Sequence, residues 1–189
     1  MNKEVQIHQA ISSDIPALMQ LDHNYSTDHV WQMGMRQNLE GVIDIHFREI
    51  KLPRIMQVTY PRNPELLADE WVRRLLLLTA EENGYKCGYA AVIEAPAPGS
   101  VWLTDLVVDL RRRREGVGTQ LLKSVLSWSA LEGYSRLFAE VQSKNYPAIS
   151  LFKKFGFQFS GYCDAYFPDQ DIALLFVGDC GISGKEHSH

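Results

Sequence analysis

The chain has 189 residues, of which 46% are apolar and 22% are charged, proportions that suit a soluble protein large enough to bury a core. Its formal net charge of −4 disfavours a nucleic-acid-binding protein, which would usually be basic. No segment approaches the roughly 18 apolar residues of a membrane-spanning helix, and the N-terminus has no signal-peptide core. We therefore expect a cytoplasmic protein with neither a membrane nor a nucleic acid as its partner.

The N-terminal part of the chain predicts short strands and helices. In chain order these are a strand, a capped helix, a second helix, one or two strands and a short helix: residues 5–10, a helix that begins at Ser13 or Asp14, and residues 26–40, 41–61 and 63–74. The second helix depends on Trp31 and Met35, which would share one helical face. Pro53 is expected to interrupt the strand region, because proline cannot donate a ladder hydrogen bond.

The remaining chain predicts a hairpin, then strands alternating with helices. The hairpin covers residues 75–95 and turns at Asn83-Gly84, and it is followed by strand 101–110, helix 118–133, strand 136–142, helix 146–156, and strands 157–163 and 171–178. We expect one α/β (α+β) domain with a mixed central sheet over residues 1–180, and a disordered polar tail over residues 181–189.

An arginine–glycine stretch, residues 109–122, connects a predicted strand to a predicted helix. Such a connection presents unpaired backbone N–H groups at a helix N-terminus, which together with the helix dipole form an anion site. Gly116 and Gly118 would let an anion approach the backbone, and Arg113 and Arg114 would add charge suited to phosphate. A pyrophosphate fits best, whereas a solvated basic run before a helix cap is the simpler alternative.

Two motifs resemble those of the GNAT acetyltransferase superfamily. The segment LVVDLRRRREGVGTQLL is similar to its acetyl-CoA-binding motif R-x-x-G-x-G, with Arg113, Gly116 and Gly118 in place. The segment EVQSKNYPAISLFKKFGF matches its second signature at Asn145, Ala148 and Gly156-Phe157. A narrower similarity to streptothricin acetyltransferases lies in STDHVWQM and in GFQFSGYCDAYFPDQDIALLFV.

The resemblance implies the GNAT fold, in which two parallel strands splay apart and acetyl-CoA, as co-substrate, lies in the gap. The strands here are residues 101–109 and 136–142. The residues expected to contact the co-substrate are Leu106, Val107, Val108, Arg113, Arg114, Glu115, Gly116, Val117, Gly118, Thr119, Asn145, Ala148 and Phe152.

Transfer of an acetyl group to an amine needs a base, since an alkyl ammonium has no free electron pair at neutral pH. Glu140, on the strand that lines the gap, is the first candidate, and some relatives that acetylate protein N-termini carry their base there. Asp105 is the second candidate, and a salt-bridged structural role is its alternative. A backbone N–H near Val108 would stabilise the oxyanion.

The resemblance fails at the residue that would protonate the leaving thiolate. Many family members have a tyrosine seven residues after the asparagine, where this chain has Phe152. Either the thiolate leaves unassisted or another tyrosine replaces the missing acid, and the substitutes considered are Tyr146, Tyr162 and above all Tyr166.

The acceptor pocket is expected to be aromatic and acidic, with Tyr25, Asp28, Trp31 and Asp169 as its residues. Two Asp-His pairs at 22–23 and 28–29 lack a metal-ligand spacing, and the three cysteines, an odd number, are widely separated, so we expect neither a metal site nor disulfides.

The sequence thus predicts an N-acetyltransferase that acts on a primary amine of a small molecule, antibiotic or polyamine-like. A protein N-terminal amine is the alternative acceptor, and an acyl-CoA-binding sensor without turnover is the alternative function. The sequence leaves open whether the protein forms a homodimer.

Overall fold

Nine strands and four α-helices form the structure, a computed structural model that describes residues 5–181. In chain order these are β1 (Gln6–Gln9), α1 (Ile15–Met19), β2 (Tyr25–Gln37), β3 (Ile43–Val58), α2 (Leu67–Glu70), β4 (Leu76–Glu82), β5 (Tyr85–Glu94), β6 (Ser100–Val108), α3 (Val117–Leu131), β7 (Arg136–Gln142), α4 (Tyr146–Lys154), β8 (Gln158–Cys163) and β9 (Ala173–Asp179). Of the expected tail, all but residue 181 lies outside the described residues.

A seven-stranded mixed sheet forms the centre of the fold, in the order β1-β4-β5-β6-β7-β9-β8. Only β6 and β7 pair in parallel. On one face the sheet packs against α3, with Leu121, Leu122 and Val125 fully buried. On the other face α1 contributes Ile15 and Leu18 to a second core cluster. The predicted α/β fold with a mixed sheet is confirmed.

The helix predicted over residues 26–40 is wrong, because this segment is β2, which pairs with β3 as a separate two-stranded ribbon. Trp31 and Met35 do share a face, but as alternate residues of a strand, with Met33 between them. Met33 pairs with Phe47, and Met35 pairs with Ile45. Pairing with β3 therefore decides between two periodicities that Trp31 and Met35 both allow.

Pro53 does not divide β3, which runs without a break from Ile43 to Val58. The register shifts there, since Thr27 faces Met56 and His29 faces Lys51. Pro53 thus lies in an irregularity where its missing N–H removes no ladder bond. The helix predicted over residues 63–74 is likewise reduced to α2 between two short 3₁₀ turns, Pro64–Leu66 and Trp71–Arg73.

The parallel strands β6 and β7 separate halfway along their length. They pair from Ser100 and Arg136 to Leu103 and Ala139, and then the pairing stops although both strands continue. A bulge at Thr104 coincides with this point. A bulge bends its strand and increases the local twist, so β6 turns away from β7. The gap between residues 104–108 and 140–142 is the predicted splay.

Candidate active site

The backbone of β6 offers hydrogen-bonding groups to the gap. The amide of Asp109 donates to the carbonyl of Cys87 on β5 at 2.8 Å. Because backbone groups of an antiparallel strand alternate in direction, Val107 also turns to β5, where it faces Tyr89. The peptide groups of Leu106 and Val108 therefore point into the gap. Of the three residues predicted here, two present backbone groups to a ligand.

The N-terminus of α3 lies at the open end of the gap. The first intrahelical bond joins the amide of Gln120 to the carbonyl of Gly116 at 3.0 Å. The three amides at residues 117–119 precede this bond, and within residues 5–181 they donate to no acceptor. Three free N–H groups and the positive end of a fifteen-residue helix make an anion site.

The two glycines of this loop serve different purposes. Gly116 has a φ of 89°, a left-handed conformation that disfavours other residues. Gly118 has ordinary helical geometry, and an added Cβ would lie 3.5 Å from Val108 Cγ2, an ordinary contact. The protein alone leaves room for a side chain at Gly118, so its glycine keeps space free in front of the amides.

Arg113 braces the loop from within. Its Nε donates to the carbonyl of Val108 at 2.9 Å, and its Nη2 donates to the carbonyl of Asp22 at 2.8 Å. Burial lowers the pKa of this guanidinium. The side chain predicted to meet a phosphate is thus bonded to two backbone carbonyls of the protein.

The other three arginines divide into one paired and two exposed side chains. Arg112 donates to Glu82 at 2.6 Å and to Glu115 at 2.7 Å, so the side chain of Glu115 is paired too. Arg111 and Arg114 are exposed. Arg114 therefore remains the arginine of the predicted pair whose charge is available to an anion.

The second motif forms the start of α4. Asn145 caps this helix, since its Oδ1 accepts the amide of Ala148 at 3.2 Å. Phe152 is buried, with its ring centroid 5.3 Å from that of Phe157 and 6.1 Å from that of Phe176. These contacts make Phe152 a core residue at the position where many relatives carry an acid.

Glu140 and Asp105 are joined across the gap by an arginine that the sequence analysis missed. Arg62 donates through Nη2 to Glu140 Oε1, and its Nη1 lies 3.5 Å from Asp105 Oδ1. The side chains of Glu140 and Asp105 are only 4% and 6% exposed. Burial lowers the pKa of Arg62, but Asp105, Tyr60 and Tyr166 together raise it by more, so the net shift of this pKa is upward.

Tyr166 completes the surroundings of Glu140. Its hydroxyl donates to Glu140 Oε2 at 2.8 Å, and 47% of the residue is exposed. The other two tyrosines considered lie elsewhere. Tyr146 donates to Glu49 at 2.8 Å, and Tyr162 packs with its ring centroid 5.4 Å from that of Phe47.

Asp105 lies in a second polar network on the same face. The hydroxyl of Tyr60 donates to its Oδ1, Thr104 Oγ1 donates to its Oδ2 at 2.8 Å, and Arg74 Nη2 lies 4.0 Å from Oδ2. The carboxylate of Asp105 is thus enclosed by donors.

A buried histidine lies behind this network. His23 Nδ1 is 2.6 Å from the carbonyl of Leu21, which can only accept, so Nδ1 carries the proton. Nε2 then accepts from the hydroxyl of Tyr89 at 3.2 Å. Burial lowers the pKa of His23, which favours this neutral form.

The four residues predicted for the acceptor pocket fall into two groups. Tyr25 donates to Gln142 Oε1 at 2.8 Å, and Gln142 Nε2 donates to Asp169 Oδ2 at 3.2 Å. Burial, with a smaller contribution from Asp171, raises the pKa of Tyr25, which stays neutral. Tyr25 and Asp169 thus meet at Gln142, the last residue of the strand that bears Glu140.

Asp28 and Trp31 lie on the ribbon beside α4. Asp28 Oδ1 is 2.8 Å from His29 Nδ1, and the His29 ring stacks on Tyr146 with centroids 4.8 Å apart. The Trp31 ring packs 5.9 Å from that of Phe176 in the core. The structure therefore does not bring these two side chains together with Tyr25 and Asp169.

Within residues 5–181, no three His, Cys, Asp or Glu side chains come together as a metal-binding group. None of the helices over residues 5–181 is long and apolar enough to cross a membrane.

The family follows from comparison with known proteins. The model of the Acetyltransferase (GNAT) family matches residues 45–157, more than half of the chain, so the chain belongs to this family. The superfamily indicated by the two sequence motifs is confirmed.

Among curated relatives, spermine/spermidine N(1)-acetyltransferase of Bacillus subtilis is 36% identical over 67 residues, which are 35% of this chain and 44% of that protein. N-acetyltransferase family 8 member 3 of Rattus norvegicus is 30% identical over 86 residues, 43% of this chain and 38% of that protein. The chain therefore spans less than half the length of these two relatives.

Solved structures share the fold over nearly the whole chain. A nourseothricin acetyltransferase is 21% identical with a TM-score of 0.78, covering 94% of this chain and 99% of its own. A putative streptothricin acetyltransferase from Bacillus anthracis, in complex with acetyl coenzyme A, is 17% identical with a TM-score of 0.73, covering 92% and 97%.

Proposed function

We propose that this protein transfers the acetyl group of acetyl-CoA directly to a primary amine of a small molecule. The observation that carries the proposal is the position of Glu140, a carboxylate at the edge of the gap with Arg62 on one oxygen and Tyr166 on the other. A gap with free backbone groups and an anion site at its end supports a ligand that is long and carries a diphosphate.

The residues of the gap fit acetyl-CoA. The amides at 117–119 and the space before Gly118 suit the diphosphate, and Arg114 suits a further phosphate. The peptide group of Leu106 and the N–H of Val108, whose carbonyl accepts from Arg113, suit the amides of the pantetheine arm. When bound, acetyl-CoA supplies a thioester carbonyl that an amine can attack.

The residues around Glu140 can manage the protons of such a transfer. An alkyl ammonium has a pKa of about 10 and must lose a proton before it attacks. Each oxygen of Glu140 accepts one bond from the protein and keeps a further lone pair for that proton, directly or through water. The N–H groups of Leu106 or Val108 can stabilise the oxyanion, and Tyr166 can return a proton to the thiolate.

A small cationic acceptor suits the charges near the gap. Glu140, Asp105 and Asp169 are carboxylates on this face, and Arg62 offsets one of them. The likeness to a spermine/spermidine acetyltransferase supports the same class. A protein N-terminal amine is the second candidate, since a putative [ribosomal protein bS18]-alanine N-acetyltransferase of Bacillus subtilis is 27% identical over 115 residues, 60% of this chain and 73% of that protein.

The test is thiol release from acetyl-CoA with a panel of amines: spermidine, L-lysine and short peptides with a free N-terminus. We expect release with the small amines, and Glu140→Gln should lower kcat by about 10²-fold or more while the KM for acetyl-CoA stays within about twofold. Glu132→Gln, at the exposed end of α3, is the matched control and should behave as wild type.

Two outcomes would contradict the proposal. An unchanged kcat in Glu140→Gln removes Glu140 as the base. Binding of acetyl-CoA without thiol release for any amine in the panel removes the transferase function, whereas release with the peptides alone favours the second candidate.

A further inference from the structure

We propose that Arg62 is a positioning residue of this site, which ties the two splayed strands together and keeps the carboxylate of Glu140 ionised beside that of Asp105. The contacts of Arg62 with both strands are seen in the geometry, and their consequence for catalysis rests on the proposed function. Arg62 belongs to neither motif and comes from the connection between β3 and the turn at Pro64–Leu66.

Arg62 spans the strands where their own pairing has ended. Its Nη1 donates to the carbonyl of Thr104 at 2.7 Å, and its Nη2 donates to Glu140. Thr104 is the bulged residue that follows the last β6–β7 pair. The guanidinium therefore replaces the missing strand-to-strand bonds. A lysine has a single nitrogen and cannot meet the carbonyl and the carboxylate in this fork geometry.

Glu140 has few other charged or titratable neighbours. On its own face these are Arg62 and Tyr166, and its partner on β9 is the apolar Leu175. The Phe167 ring lies under the guanidinium, with its centroid 5.8 Å from Arg62 Cζ. Arg62 is thus the one cation, among the described residues, that contacts Glu140.

Asp105 is faced by more groups. Tyr60, Thr104, Arg62 and Arg74 surround its carboxylate, while Tyr89 and His23 lie behind them. Arg74 is also the partner of Glu70, at 2.7 Å. Of all these groups, Arg62 alone contacts both Asp105 and Glu140.

Loss of this shared cation changes how the carboxylates ionise. Two carboxylates that are almost fully buried and lack a common cation repel each other, so one of them takes up a proton at a higher pH. A protonated Glu140 cannot accept the proton of an ammonium. Arg62 therefore acts through Glu140, which it keeps charged with the second oxygen directed at Tyr166.

The experiment follows the carboxyl carbons by NMR in protein labelled with ¹³C-carboxyl aspartate and glutamate. The variants are Arg62→Gln and Arg62→Lys, and signals are assigned with Glu140→Gln and Asp105→Asn. In Arg62→Gln we expect the Glu140 carboxyl, which loses its one cation, to titrate about 1 pH unit or more higher than in wild type. Arg62→Lys keeps the charge, so its titration should lie close to that of wild type.

Arg73→Gln is the matched control, because Arg73 lies in the same stretch between β3 and β4, is exposed, and forms no ion pair within residues 5–181. It should titrate as wild type does. If the carboxyls of Glu140 and Asp105 titrate in Arg62→Gln as they do in wild type, this result would overturn the proposal. If Arg62→Gln fails to fold, Arg62→Lys becomes the deciding variant. Because lysine cannot bridge the two strands, kcat should fall by about tenfold while the pH profile stays unshifted. A kcat equal to that of wild type would overturn the proposal.

The kinetic measurement separates this inference from the function on which it rests. With an acceptor that supports thiol release, the acid limb of the plot of kcat against pH should move to higher pH in Arg62→Gln. The size of this shift should equal the shift of the Glu140 titration measured by NMR. Failure of every amine in wild type would contradict the proposed function and leave the NMR result standing. Activity with an unshifted profile would contradict the role of Arg62 alone.

Discussion

Tyr166 holds its hydroxyl 2.8 Å from Glu140 Oε2, on the face of the sheet that bears both candidate carboxylates. The phenol is nearly half exposed, so a ligand in the cleft can reach it. Phe152, at the position where many relatives have a tyrosine, is buried in the core. Tyr166 thus reaches the candidate base from a different part of the chain and can supply the proton that Phe152 cannot.

We expect Tyr166→Phe to lower kcat by about 10²-fold, because the variant keeps the ring but loses the proton donor beside Glu140. Steady-state thiol release over a range of pH measures the effect. Tyr146→Phe is the control. The hydroxyl of Tyr146 donates to Glu49 at an exposed position, so its removal should leave kcat unchanged. Equal rates for the two variants would show that Tyr166 moves no proton in the reaction.

Single residues differ in how far a sequence can predict them. The sequence indicates Glu140 by its place in the second motif, and it indicates Tyr166 as a substitute for the tyrosine that Phe152 replaces. The structure brings these two residues together. Arg62 carries no motif, and its bond to Glu140 joins residues 78 positions apart. Only the folded sheet brings such a pair together, so no local pattern could reveal it.

Among the elements, the β2–β3 ribbon is anchored along only part of its length. Phe47, which pairs with Met33, packs against Phe159 and Tyr162, with ring centroids 5.3 and 5.4 Å apart. Two pairs nearer the turn of the ribbon, Met35 and Ile45 lie on the same face and are exposed. Packing against β8 therefore anchors the ribbon as far as Phe47, whereas its outer end depends on its own ladder.

We expect Phe47→Ala to lower the free energy of unfolding by about 1–3 kcal/mol, because it removes a half-buried ring from two aromatic contacts. Met35→Ala, the matched change at the outer end, should stay within about 0.5 kcal/mol. Urea unfolding of both variants provides the comparison. Similar losses for both would show that the outer end is anchored as firmly as the part that holds Phe47.

The same ribbon shows where sequence patterns reach their limit at this scale. The bounds predicted for strand β7 are those that the structure shows. A short apolar run between two predicted helices can be interpreted only as a strand. In β2, the side chains of Trp31 and Met35 fit a helical face or alternate strand positions, and Met33 between them fits the strand alone. The partner strand settles the choice, and it lies beyond the local window.

For the whole molecule, the central claim is that one slot for acetyl-CoA arises where β6 leaves β7 and enters α3. The bulge at Thr104 opens the slot, Arg113 braces its loop, and Gly116 turns the chain into the helix. From β4 onward the order of strands and helices was predictable from the sequence, because the two motifs lie on consecutive units. The bonds of Arg62 to Glu140 and of Tyr25 to Gln142 were not.

The most direct test is a calorimetric titration of the protein and of Gly118→Asp with acetyl-CoA. Aspartate in the first turn of a helix favours folding, so lost binding would report on the site itself. We expect micromolar binding by wild type and a loss of about tenfold or more in the variant, since like charges about 4 Å apart near a surface repel by roughly 4 kcal/mol. Ser127→Asp, exposed on the same helix, should bind as wild type does. No binding by wild type, or undiminished binding by Gly118→Asp, would contradict the account.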